Sequence, residues 1–291
     1  MKRFGLLMFA CVCGSSLDMQ VNYLAQAAKS VFFPMLVTIL CACGGSGASS
    51  ENNNEPEPIP PLITLPTGPS PLDPDSVTVL MMGNSHSALV NLPDMLTMVL
   101  QALEPTKSIE VKRVNSFAYL YQHAEDPQVQ AEIDSQTWSH VVLQAQRYST
   151  SQSQTYPTDG AVSLIQRAIL NYATPVLFPE WGLKGSTTET TYVHRIHQGI
   201  AAQTGACVAP IGLSWEWVVS VNANIELYAS DGNHANITGT LLTAFVLAET
   251  ITGQPVDLLS TFHTLDVPAD VQALLKQSAS QIVAQHPPCD Y

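Results

Sequence analysis

Two short stretches of this sequence carry residues that could do nucleophilic chemistry together. Met82-Gly83-Asn84-Ser85-His86 places a serine just after an apolar run. Asp231-Gly232-Asn233-His234 supplies a carboxylate and an imidazole three residues apart, about 150 residues further on. A serine hydroxyl is a poor nucleophile at neutral pH and needs a base within hydrogen-bond reach. His234 can be that base, and Asp231 can hold the imidazole in the required tautomer and stabilise the imidazolium. The chemistry also needs donors for the developing oxyanion. The candidates are the backbone N–H of Ser85, a backbone N–H near Ser116 and the side-chain amide of Gln144. His86, Glu180 and Trp181 are candidates for the substrate-pocket wall, with a solvent-facing His86 and a merely buried Trp181 as the competing readings. His123 is either a pocket or a surface residue. His194 and His197, at i and i+3, suit a solvated helix face better than a metal, because no third ligand has a matching spacing.

The elements that must position these residues follow from apolar periodicity. Val77 to Met82 is a continuous apolar or β-branched run, the pattern of a fully buried strand, and Gly83 ends it. Asn91 is placed to cap a helix with Leu92, Leu96, Val99, Leu100 and Leu103 on one face. Ile109–Val114 reads as a second strand, followed by an irregular aromatic-rich stretch from Asn115 to His123. Trp138–Gln144 holds a third strand and Pro175–Phe178 a fourth, with a helix through Ile165 and Ile169 between them. A helix with Val193, Ile196 and Ile200 inward stops at Gly205, and Cys207–Ile211 reads as a fifth strand. The Asp231–His234 loop then feeds an apolar helix, Leu241–Ile251, and Pro268 opens a final amphipathic helix. Strands alternating with helices long enough for crossovers predict a parallel sheet covered on both faces. Open sheets of this kind bind ligands at the carboxyl ends of their strands, where Ser85 and Gln144 fall.

The totals narrow the range of functions. The chain has 291 residues, 46% of them apolar, and a net charge of −13 from 11 Lys plus Arg against 24 Asp plus Glu. That balance argues against nucleic acid as a partner, which is held through clustered basic side chains. No Gly-rich phosphate loop occurs, and the reading calls for no cofactor and no metal. Residues 1–43 read as a leader: Val31–Ala42 is an apolar core too short to span a bilayer comfortably. Its end, Leu40-Cys41-Ala42-Cys43-Gly44, resembles a bacterial lipoprotein signal, which implies lipid on Cys43, anchoring to a membrane and a place in the cell envelope, periplasmic or on the outer surface. A second hydrophobic start at Met1–Cys13 leaves Met19 as an alternative initiator. Residues 44–74 form a linker with 8 of the 20 prolines, extended and semi-rigid. The folded part is 75–291, one domain by size. Once Cys43 is set aside, Cys207 and Cys289 remain as a pair that an oxidising compartment could bridge, against two buried free thiols.

The two motifs resemble those of the SGNH (GDSL-type) hydrolases. Gly83-Asn84-Ser85 matches the family's first block, with Asn for Asp, and Asp231 to His234 matches its last block, Asp-x-x-His before a final helix. The likeness covers roughly residues 75–252. It implies a flavodoxin-like three-layer α/β sandwich on a mostly parallel five-stranded sheet, with Ser85, His234 and Asp231 as nucleophile, base and orienter. The middle blocks depart from the pattern: no glycine stands near Asn115–Phe117, and Gln144 replaces an asparagine. The implied activity is a serine esterase acting on a small ester, with O-acetyl groups of a glycan as one substrate. A catalytically silent binder of glycan or lipid, and an acyl transferase using the same three residues, are the alternatives.

Overall fold

The computed structural model describes residues 72–289; the expected leader, the expected lipid attachment at Cys43 and nearly all of the expected linker lie outside them. Five parallel strands run β1 (Ser76–Met82), β2 (Ser108–Arg113), β3 (His140–Gln144), β4 (Thr174–Phe178) and β5 (Cys207–Val208), in the sheet order β2-β1-β3-β4-β5. This is the doubly wound flavodoxin-like order, and it puts β1 and β3 beside one another in the middle of the sheet.

Alternation along β1 divides the interior. Val77, Val79 and Met81 face one core with helices α1 (Leu92–Leu103), α6 (Ile211–Val221), α7 (Ile237–Thr252) and α8 (Ala269–Gln285). Leu80 and Met82 face the other, with α2 (Leu120–Glu125), α3 (Pro127–Asp134), α4 (Asp159–Leu170) and α5 (Glu189–Thr204). Helix α7 is buried from Gly239 through Ile251, because α1 packs on one side of it and α8 on another. A helix apolar all round is stable in that position alone.

Several sequence expectations change. The fifth strand stops at Val208; Pro210 has no N–H to continue the ladder and sits at the N-cap of α6, a helix absent from the sequence reading. The stretch after β2 is not wholly irregular: it leads into α2 and α3. Asn91 does not cap α1 through the backbone; it takes a left-handed φ of 55° and its amide bonds the Asp94 carboxylate. His194 and His197 are not solvated but buried where α5 packs inward. His197 Nδ1 bonds the Val193 carbonyl at 2.8 Å, whereas His194 Nδ1 and His197 Nε2 reach no partner among the described residues. Cys207 and Cys289 form a disulfide, and Val208 N–H bonds the Pro288 carbonyl at 2.6 Å, so the edge strand holds the C-terminal segment. Closing an 82-residue separation removes unfolded-state entropy worth on the order of 4 kcal/mol.

Burial lowers the pKa of His140, His194 and His197 to about 4 each. These values lie below that of a free imidazole, so on acidification protons bind the unfolded chain first. The resulting stability is complete above pH 6.5 and lost as pH falls toward 4, by up to about 3 kcal/mol per imidazole. Urea denaturation at pH 7 and pH 4.5 should show a large drop in midpoint, and His197→Phe should lose less on acidification than the parent.

Candidate active site

The site begins where β1 runs out. Gly83 lies so close to β3 that an added Cβ would stand 2.2 Å from Gln144 Oε1. That approach lets Asn84 N–H donate to Gln144 Oε1 at 2.8 Å. Asn84 caps a single 3-10 turn, Ser85–Ser87, by accepting the His86 N–H at 3.0 Å. The buried Ser87 hydroxyl returns a bond to the Asn84 carbonyl at 2.9 Å. Ser85 is thereby fixed at the carboxyl edge of the sheet by bonds on both sides of it.

His234 arrives from the other end of the chain. Its loop is shaped by Asp231, whose Oδ1 accepts the N–H of Asn233 at 2.9 Å and of His234 at 3.0 Å. Asp231 Oδ2 pairs with His234 Nδ1 at 2.6 Å, and His234 Nε2 lies 2.8 Å from Ser85 Oγ. The carboxylate can only accept, so Nδ1 carries the proton and Nε2 presents its lone pair to the serine hydroxyl. The bond from His234, followed by the two backbone N–H groups, holds the Asp231 carboxyl well below the usual carboxylate range. Asp231 therefore stays ionised throughout the range in which an imidazole can act as base.

Three further contacts pin that loop. Trp181 Nε1–H donates to the Asn233 carbonyl at 2.8 Å, while its ring stacks on Trp215 at 3.9 Å and 6°. Lys184 N–H donates to the Gly232 carbonyl, and Ala229 N–H to the His234 carbonyl at 2.7 Å. Asn236, two residues beyond His234, caps α7 by accepting the N–H groups of Thr238 and Gly239 at 2.8 and 3.0 Å.

Several sequence assignments take different places. Gln144 is fully buried, its oxygen used by Asn84 and its nitrogen by the Glu180 carboxylate, so it is a brace under the nucleophile turn and not a donor facing substrate. Glu180 and Trp181 are largely buried, the first bonded to Gln144 and the second to the Asn233 carbonyl. The His86 side chain is 7% exposed, with Nδ1 3.1 Å from Asn84 Oδ1 and 3.9 Å from Glu180 Oε2. Its ring lies 4.9 Å from that of His234. The Ser116 backbone N–H has no partner among the described residues and remains available as a donor. His123 is buried and joins that segment to the nucleophile turn: Nε2 bonds the Gly83 carbonyl at 3.2 Å, and Nδ1 lies 3.5 Å from Ser116 Oγ. Burial lowers its pKa, which keeps it a neutral strut. Trp215 carries no sequence signal for this role, and Asn236 is legible as a helix cap only from its place at the start of an apolar helix. Among the described residues, no three His, Cys, Asp or Glu side chains converge as a metal site.

Trp181→Phe removes one hydrogen bond to the Asp231–His234 loop and keeps most of the stack. A net loss of about 1 kcal/mol in loop placement corresponds to a roughly five- to tenfold slower attack of Ser85 on an activated ester. Acylation by 4-nitrophenyl acetate, followed spectrophotometrically, should show a lower kcat with little change in KM.

No family model matches the sequence, and no curated protein matches it. Solved structures do. A DUF4886 family protein from Bacteroides uniformis is 14% identical and superposes with a TM-score of 0.55, covering 75% of this chain and 98% of that one. An SGNH-hydrolase candidate from Slackia heliotrinireducens is 27% identical, with a TM-score of 0.49 over 60% of this chain and 98% of that one. A catalytic mutant of an acetylxylan esterase from Geobacillus stearothermophilus is 12% identical, with a TM-score of 0.48 over 62% and 97%. The chain shares its three-layer α/β fold, built on a five-stranded parallel sheet, with the Bacteroides uniformis protein, and Ser85, His234 and Asp231 meet at the carboxyl edge of that sheet.

Proposed function

We propose that this protein is a serine esterase that hydrolyses a small ester through an acyl-serine intermediate. The observation that carries the reading is the unbroken line from Asp231 Oδ2 through His234 to Ser85 Oγ, with steps of 2.6 and 2.8 Å. Ser85 Oγ attacks the ester carbonyl as its proton passes to His234 Nε2. The tetrahedral oxyanion is met by the Ser85 N–H and a backbone N–H of the segment around Ser116, since Gln144 is engaged elsewhere. His234 then gives its proton to the leaving alcohol. In the second half His234 takes a proton from water, the hydroxide attacks the acyl carbonyl, and as the bond to Ser85 Oγ breaks His234 returns its proton to that oxygen, releasing the free acid. The proposed substrate is an O-acyl group, such as acetyl, on a larger alcohol. The leader sequence supports placing the enzyme in the cell envelope, tethered through Cys43 with the proline-rich linker as a spacer.

The test is steady-state hydrolysis of 4-nitrophenyl acetate by the purified protein with three variants. Ser85→Ala and His234→Ala should each lower kcat by about 10⁴–10⁶, and Asp231→Asn by about 10⁴. Release of free acetate identifies hydrolysis, whereas acetate appearing only as a new ester on an added acceptor identifies acyl transfer. Turnover unaffected by Ser85→Ala contradicts the reading.

A further inference from the structure

The segment leading from β2 to α2 carries a row of exposed aromatic side chains, and its backbone is bonded to the residues that end β1 and β3. Ala118 N–H bonds the Gly83 carbonyl at 3.2 Å, and Leu120 N–H bonds the Ala145 carbonyl at 3.0 Å. With 118 and 120 tied inward, the odd positions point out, and Phe117, Tyr119 and Tyr121 are 59%, 41% and 39% exposed. Single exposed apolar residues are ordinary, but three in five residues, starting next to the serine turn, make a patch. Tyr119 and Tyr121 lie nearly parallel, 12° apart with centroids at 6.1 Å, and the Arg113 guanidinium covers one face of Phe117 at 4.4 Å.

Tyr121 also forms one wall of a cleft of about 520 Å³, within the size range of small-molecule sites. Its other walls include Tyr156, Arg147, Glu125, Asp159 and Ser163. The Arg147 guanidinium lies 4.1 Å from the Tyr156 ring centroid. The side chains of Glu125, Arg147, Asp159 and Ser163 make no hydrogen bond or ion pair with other described residues. An alkyl chain in the cleft would strip these groups of water and offer them no partner. A pyranose ring offers both of the chemistries on display: a flat C–H face for tyrosine and hydroxyls for carboxylate, guanidinium and serine. We infer that the Phe117–Tyr119–Tyr121 row and the Tyr121–Tyr156 cleft bind the saccharide part of an acylated oligosaccharide, delivering its ester to Ser85. The inference rests on the esterase reading for the delivery step, and the binding itself can be measured without turnover.

Binding is measured by calorimetry on the full chain carrying Ser85→Ala, titrated with xylohexaose, cellohexaose, N-acetylchitohexaose and, separately, octanoate. Saturable binding of at least one hexasaccharide is expected. Tyr121→Ala should weaken it at least tenfold, and Tyr121→Phe, which keeps the ring, less than threefold. Leu258→Ala, an exposed apolar residue 81% accessible outside this cleft, is the control and should not change it. Thermal melts confirm that each variant is folded. Binding of none of the hexasaccharides, binding indifferent to Tyr121→Ala, or octanoate binding in their place overturns the inference. Hexasaccharide binding by a protein that fails to hydrolyse any ester would sink the esterase reading and leave the saccharide site standing.

Discussion

The 2.8 Å contact between Ser85 Oγ and His234 Nε2 joins residues 149 apart in sequence, and most of the architecture serves to make it permanent. A hydrogen bond of that length tolerates only a few tenths of an ångström of error. Ser85 takes its position from a central strand that is buried on both faces and paired on both edges. His234 takes its position from the capped start of α7, which is locked between α1 and α8. The last few ångströms are set by Trp181, whose indole is stacked on Trp215 and bonded to the Asn233 carbonyl. Displacement of β1 or α7 by the width of one methyl group would separate base from nucleophile.

Behind the reacting atoms lies a polar network in a place where polarity costs free energy. Gln144 and Glu180 are both buried, and their amide and carboxylate bond one another while Gln144 also holds Asn84. Tyr148 is close to Glu180 and Glu189; burial first, then these carboxylates, push its phenol pKa up. A buried network of this kind stabilises only when each member is satisfied, and it then specifies one geometry. Here that geometry is the turn carrying the nucleophile. Gly83 is required for a related reason, because a side chain there would occupy the space of the Gln144 amide.

How much of this could be read from the sequence depended on how local each signal was. The order of strands and helices followed from periodicity. Asp231 and His234 form a closed local unit, in which one carboxylate shapes the turn and bonds the imidazole, so their types and spacing carried the information. Gln144 was misread because the end of a strand is where an oxyanion donor could sit. Its engagement by Asn84, 60 residues away, leaves no local trace. His194 and His197 suffered the reverse error: polar residue types suggested water, and packing buried them. Helix α6 is not legible in the sequence because Ile211–Val221 is too apolar to show a helical face, and Pro210 continues the apolar run of β5. The cysteine pair was undecided until the fold brought the C-terminal segment alongside β5.

The central claim is that Ser85 is activated by His234, and active-site mapping with a fluorophosphonate tests it most directly. The protein is incubated with the probe, its intact mass is measured, and the modified peptide is sequenced by mass spectrometry. A single adduct is expected, on Ser85, forming orders of magnitude more slowly in His234→Ala. An unmodified, well-folded protein, an adduct on another serine, or labelling at full speed without His234 would contradict it.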